Sequence, residues 1–144
     1  MTTLDESPRV TRSEDGRMVP VSLASSPMTR GPSLVRELFA CIDGRRWEDL
    51  PRFFAADVTY ERPGYECLVG LDQIKHFYRL VRVIASGTHF LEEVVGDDVR
   101  AACWGRFVGV HKNGSPIDER FADVYTLANG KISTRRSYFY RPAV

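Results

Sequence analysis

Cysteine, histidine and long apolar runs are the scarce features of this sequence. Cys41, Cys67 and Cys103 are the only three cysteines in 144 residues, far apart and without Cys-x-x-Cys spacing. Neither a disulfide framework nor a zinc site is expected from them, and reduced, partly buried thiols are. The three histidines, His76, His89 and His111, are scattered too widely to supply metal-ligand spacing. No stretch reaches the roughly 18 apolar residues of a membrane span, and the opening residues lack the apolar core of a signal peptide. A cytoplasmic protein is the expectation. Glycine-rich phosphate loops, serine or cysteine nucleophile signatures and nicotinamide fingerprints are missing as well, so no cofactor is expected. Neither sign of charge is in excess. Twenty basic and nineteen acidic residues are interspersed, for a formal net charge of +1, which gives no reason to expect nucleic acid or a membrane as partner.

What is present suits one globular domain: 43% hydrophobic and 11% aromatic residues in a chain long enough to bury its own core. Residues 1–32 stand apart, rich in Ser, Thr, Pro, Arg and acidic side chains, with one short apolar patch, Met18-Val19-Pro20-Val21. They read as an arm or tail, with residues 18–23 adding an edge strand, ahead of a single domain over 33–144. Ser33 is placed to cap a helix whose apolar residues Leu34, Val35, Leu38, Phe39 and Ile42 share one face and which Gly44 ends. A second helix is expected over 47–54, then a strand over 57–62 stopped by Pro63-Gly64. A longer helix follows Gly70, with Ile74, Phe77, Tyr78, Val81, Ile84 and Ala85 as its apolar stripe.

From Thr88 onward the period changes to two. Strands over 89–95, 99–111, 117–127 and 131–141 are joined by Gly96-Asp97-Asp98, Asn113-Gly114 and Asn129-Gly130. Asn-Gly pairs favour two-residue hairpin turns, because both central residues of a type I′ turn need positive φ. Helices followed by a run of strands predict an α+β fold, a curved antiparallel sheet with about three helices packed on its concave face.

Three local motifs strengthen that reading. Phe53-Phe54-Ala55-Ala56-Asp57-Val58-Thr59-Tyr60-Glu61-Arg62-Pro63-Gly64, Gly70-Leu71-Asp72-Gln73-Ile74-Lys75-His76-Phe77-Tyr78 and Asp123-Val124-Tyr125-Thr126-Leu127-Ala128-Asn129-Gly130-Lys131-Ile132 occur in order. Together they resemble the nuclear transport factor 2-like superfamily, in its SnoaL-like polyketide cyclase and ketosteroid isomerase branch, over 34–142. The resemblance implies a cone-shaped domain with an apolar pocket. It also implies a homodimer joined through the open sheet face, with Ala122, Val124 and Arg135 on that side.

Asp123 is the first candidate for chemistry. It lies within a strand beside Phe121 and Tyr125 on its own face, where a carboxylate is costly unless paired or protonated. Counting back from a two-residue Asn129-Gly130 turn sets Asp123 opposite Arg136, Phe121 opposite Tyr138 and Tyr125 opposite Thr134, with Trp104 nearby. By resemblance, Asp123 matches the acid/base Asp of SnoaL-like cyclases or an oxyanion-hole Asp of the isomerases. His89 and Tyr138 are its candidate partners. Tyr60, Trp104, Phe107, Phe121, Tyr125, Arg136 and Tyr140 are expected to line the pocket and bind a hydrophobic small molecule.

Departures from the resemblance matter too. The isomerases carry their base directly before the Pro-Gly, where this chain has Arg62, and the residues 34–44 include no Tyr. A steroid-isomerase mechanism is therefore not expected. The epoxide hydrolases of this fold need a second carboxylate near the chain end, where Tyr140 stands. The reading is a cyclase that closes a ring in a conjugated intermediate, by acid/base help from Asp123 or by templating a pericyclic closure. A hollow filled by its own side chains, with Asp123 wholly engaged by Arg136, favours a non-catalytic binding module instead. Water held between Asp123 and an Arg or His favours a hydrolase or dehydratase.

Overall fold

A computed structural model describes Val10–Arg12, Met18–Pro20 and residues 30–141. Strands β1 (Val10–Arg12) and β2 (Met18–Pro20) pair with each other in a separate two-stranded sheet. The edge strand expected near residue 18 is thus half of a small hairpin and does not extend the main sheet; residues 21–23 lie outside the described residues.

Helix α1 spans Arg30–Asp43 and buries Leu34, Val35, Leu38, Phe39, Cys41 and Ile42, the face read from the sequence. It starts three residues before Ser33 because its cap comes from elsewhere. The Arg30 backbone N–H donates to Asp98 Oδ1 at 2.8 Å and that of Gly31 to the Asp97 carbonyl at 3.0 Å. A carboxylate there also complements the helix dipole. At the other end Arg45 adopts φ 56°, and the Arg46 N–H returns to the Cys41 carbonyl. That closure places the left-handed residue just after Gly44. A 3-10 helix over Trp47–Arg52 follows, shorter than the second helix expected.

The main sheet contains β3 (Phe54–Glu61), β4 (Leu68–Val69), β5 (Ile84–Gly96), β6 (Arg100–His111), β7 (Pro116–Ala128) and β8 (Lys131–Phe139), in the order β4-β3-β8-β7-β6-β5. All neighbours are antiparallel except β3 and β8, which run parallel. Bulges interrupt β5 against β6 between Leu91 and Glu93 and β7 against β8 between Thr126 and Leu127. Each extra residue bends its strand and curves the sheet around the helices. Helix α2 (Leu71–His76) opens after Gly70 as expected but stops early. It continues as one π turn, Phe77–Val81, in which the Arg82 N–H donates to the Phe77 carbonyl, and the chain then enters β5. The wider turn breaks the expected stripe. Val81 becomes exposed, Ile84 and Ala85 become strand residues, and Arg82 is buried. Cys41 and Cys103 are buried and Cys67 exposed, all as free thiols. Among the described residues no helix is long and apolar enough to cross a membrane.

Two turns test the hairpin reading. Asn129 (φ 53°) and Gly130 (φ 76°) form the two-residue turn, with Ala128 opposite Lys131. At Asn113-Gly114 only Gly114 has positive φ, and His111 and Ser115 flank a three-residue loop.

Close packing where β5 joins the sheet depends on glycine. Gly87 faces Gly109 across β5 and β6, and a Cβ on Gly87 would come within 2.2 Å of the Phe107 ring. Gly87→Ala is expected to cost about 1–3 kcal/mol by forcing that ring aside. The measurement is a lower urea midpoint with unchanged slope. A midpoint equal to the parent's would show that Phe107 is not fixed against the strand.

Candidate functional site

Asp123 sits on β7, opposite Ser137 of β8 and Cys103 of β6, and is only 2% exposed. Three hydrogen bonds reach its Oδ2: from Tyr125 Oη at 2.9 Å, Arg135 Nε at 3.0 Å and Arg135 Nη2 at 2.8 Å. Its Oδ1 receives none among the described residues. Arg135 is buried too, with Nη1 donating to Tyr78 Oη at 2.7 Å and the guanidinium 4.4 Å from the centre of the Tyr60 ring. Burial works against its charge, but Tyr125, Tyr60, Tyr78 and Asp123 outweigh that and hold its pKa well above the usual arginine value. Burial pushes the Tyr125 and Tyr78 phenols up, so both remain neutral, Tyr125 donating to Asp123 and Tyr78 accepting from Arg135. The Cys103 thiol is pushed up to about 12 by burial and by the nearby Asp123 charge, which leaves it inert as a nucleophile.

A second pair enters from the other side. His89 of β5 bonds through Nδ1 to Asp43 Oδ1 at 2.5 Å, and its backbone N–H donates to Asp43 Oδ2 at 2.9 Å. The ring lies among Phe39, Phe107 and Phe121, at centroid distances of 4.5, 4.6 and 5.4 Å. Burial lowers the His89 pKa, with Asp43 opposing it. A neutral imidazole facing an acceptor must carry its proton on Nδ1, which leaves Nε2 with a lone pair. Nothing in the sequence reading singled out Asp43. A signal existed: a carboxylate in the last turn of a helix opposes the dipole and asks for a partner.

The two pairs meet at a cavity of about 30 Å³, whose polar lining is Arg62, Arg82, His89, Glu119, Asp123, Arg135 and Ser137. Phe39, Ile84, Phe107, Phe121 and Phe139 complete it. Arg62 Nη1 donates to Tyr60 Oη at 3.3 Å, and Tyr60 Oη shares a hydrogen with Ser137 Oγ at 2.8 Å. The interior is therefore small and ionic, where an apolar pocket lined mainly by aromatic side chains was expected.

Several expected lining residues do not reach it. Tyr60, Phe107, Phe121 and Tyr125 are buried on the inner face, as read. Trp104, Arg136 and Tyr138 stand on the outer face, and Tyr140 lies beyond β8; the three aromatics are 42%, 49% and 75% exposed. Arg136 pairs there with Glu61, Nε to Oε2 at 2.6 Å. One residue causes the β8 errors. Ser133 bulges out, with its hydroxyl bonded to the Thr126 carbonyl, so Asp123 faces Ser137, Phe121 faces Phe139 and Tyr125 faces Arg135. Arg135, expected on the outer face, is thereby turned inward in place of Arg136. On the other side Cys103, not Trp104, lies opposite Asp123. His76 is exposed and His111 half-buried at a strand end.

Residues 35–135 match the family model of the SnoaL-like domain. The chain belongs to that family. Solved structures similar to this SnoaL-like protein agree on the fold. An NTF2-like protein of unknown function from Burkholderia pseudomallei is 22% identical with a TM-score of 0.71, covering 78% of this chain and 92% of that one. A putative SnoaL-like polyketide cyclase from Jannaschia is 17% identical, with a TM-score of 0.70 over 80% and 89% of the two chains. An epoxide hydrolase of the LEH-like type from M. tuberculosis is 13% identical, with a TM-score of 0.68 over 78% and 84%. At these identities the likeness concerns the fold of the SnoaL-like domain and not a reaction. Nothing among curated proteins matches the sequence.

Proposed function

We propose that this SnoaL-like protein is a cofactor-independent cyclase, with His89 as the acid–base group and Asp123 as the acceptor that orients a carbonyl-bearing hydrophobic intermediate. The observation that carries the reading is one cavity lined by His89, whose Nδ1 is engaged by Asp43, and by Asp123, whose Oδ1 accepts no hydrogen bond among the described residues. His89 takes a proton from the carbon next to a carbonyl at Nε2, and Asp43 stabilises the imidazolium. The electron pair of the broken C–H bond attacks a second carbonyl carbon and closes the ring. The new alkoxide recovers the proton from Nε2. Asp123 Oδ1 orients the substrate by accepting from an enol or hydroxyl. A ring-forming substrate exceeds the closed cavity, so wall side chains swing aside on binding. Arg62 and Phe139, half-buried and 4.9 Å apart, are suited to that movement. On the outer face the exposed Trp104, Val108, Val124 and Tyr138 support pairing with a second copy.

A second reading rests on the cavity's size. About 30 Å³ is room for one or two waters. A water donating to both Oδ1 and Nε2 keeps a lone pair for attack, which is hydrolase or hydratase chemistry, and one similar structure is an epoxide hydrolase.

Isotopes separate the two. With a 1,3-diketone probe in D2O, the wild-type protein is expected to catalyse exchange of the carbon-bound protons, and His89→Gln and Asp123→Asn to lose it. Exchange at the uncatalysed rate, together with uptake of 18O from labelled water into an epoxide probe, would replace the first reading by the second.

A further inference from the structure

The carboxylates around the cavity are already engaged, and one of the cations is not. Asp123 is bonded to Arg135, Glu119 to Arg141 at 2.8 Å, and Asp43 to His89. Arg82 is 7% exposed and lines the cavity, yet among the described residues its guanidinium makes no ion pair and no hydrogen bond. Its guanidinium lies over two ring faces, those of Tyr78 at 5.3 Å and Phe107 at 5.8 Å. The π turn over Phe77–Val81 is what brings it inward, since a regular helix would continue the apolar stripe there.

We propose that Arg82 is the receptor for an acidic oxygen on the small molecule that enters the cavity, a carboxylate or an enol or phenol ionised at neutral pH. The substrate class is then anionic as well as apolar. This rests on the cavity being a small-molecule site, as proposed above, and not on proton transfer by His89 or orientation by Asp123.

A buried charge without a counterion is unfavourable, and here burial and the neighbouring Arg62 and Arg135 act together against it. The Tyr78 and Phe107 rings offset part of that, as cation–π contacts do. An anion would remove the rest. Its two oxygens match the donor fork of a guanidinium, whereas a neutral ligand would leave the cation unanswered. A head group of two or three heavy atoms also suits the size of the hollow better than a ring system does.

The test uses the full chain with formate, benzoate and 2-naphthoate as probes, each beside its primary amide at constant ionic strength. Calorimetric titration and thermal unfolding are the measurements. At least one carboxylate is expected to bind about 10-fold or more tightly than its amide and to raise the melting temperature. Arg82→Met is expected to abolish that preference. Without ligand it is expected to melt about 2–4 °C higher than the parent, because an unpaired cation is gone. Arg82→Lys, which keeps the charge and loses the fork, serves if the Met variant does not fold, and is expected to weaken carboxylate binding about 10-fold. Equal affinity for acid and amide, a preference that survives both substitutions, or no binding of any carboxylate would each overturn the proposal. The parent protein separates the two ideas: if the proton-transfer reading alone is wrong, its diketone exchange fails while carboxylate binding through Arg82 persists.

Discussion

Asp123→Ala is expected to lower stability by about 3–5 kcal/mol, and Arg135→Met by a similar amount, because each leaves the other's charge buried without its partner. Both side chains are almost fully enclosed, 2% and 4% exposed, so bulk solvent does not stand in for the missing charge. The double variant Asp123→Leu with Arg135→Met is expected to recover most of the loss. Recovery stays incomplete, since the Tyr125 and Tyr78 hydroxyls lose their bonds to this pair, at about 1 kcal/mol each. Urea unfolding of the parent, Asp123→Leu, Arg135→Met and their double variant measures the coupling directly. Additive single losses would show that the two side chains do not act as one unit. The same cycle guards the interpretation of activity, because Asp123→Asn keeps an acceptor for Arg135 while Asp123→Ala does not.

Turnover is expected to fall about 10²–10⁴-fold in His89→Gln, the range for loss of a positioned acid–base group. Asp43→Asn is expected to produce a similar loss by another route. An amide donor facing Nδ1 moves the ring proton to Nε2, so the base is present but in the wrong tautomer. The acid limb of the pH profile reports on the same residue. Facing His89 are Asp43 from α1, Arg82 from the loop before β5, and Arg135 from β8. Burial, the largest effect, takes its pKa below the ordinary 6.5, Asp43 raises it, and the two arginines lower it. The base form therefore dominates at neutral pH, and activity is expected to hold through the ordinary histidine range and to fall only at a pH below it. Stability follows the same sign. A histidine with a depressed pKa binds its proton more readily when unfolded, so its contribution is complete above about 6.5 and is lost as the pH falls toward the folded value. His89→Phe is expected to flatten that slope, and an unchanged acid limb would assign it to another group.

The fold was legible in the sequence because its signals are local. The apolar face of α1, the change to period two after Thr88 and the Asn129-Gly130 turn each follow from residues close together, and together they specify helices packed on a curved sheet. The site was less so, because its geometry depends on two insertions of a single residue. Ser133 slips β8 by one place and exchanges Arg136 for Arg135 at Asp123, which also sends Tyr138 to the outer surface. The π turn exchanges Val81 for Arg82 at the inner wall. Neither carries a glycine or proline that marks it in advance. Alternation predicted which strands face inward correctly at Phe121, Asp123 and Tyr125, upstream of the bulge, and failed beyond it. Asp43 was missed for a different reason. Its partner, His89, is 46 residues away, and only the sheet's curvature brings them together.

The start of α1 has a consequence for how the chain is made. Its first turn borrows Asp98 and the Asp97 carbonyl, both in the turn between β5 and β6, some 68 residues later. A helix of this length is marginal alone in water. During synthesis the opening residues of α1 therefore emerge well before the groups that secure them exist. Its complete form waits for the hairpin, and so does Asp43, which has no histidine to hold until β5 arrives. Order in the first helix is a late event, and the reactive dyad is assembled by the step that finishes the sheet.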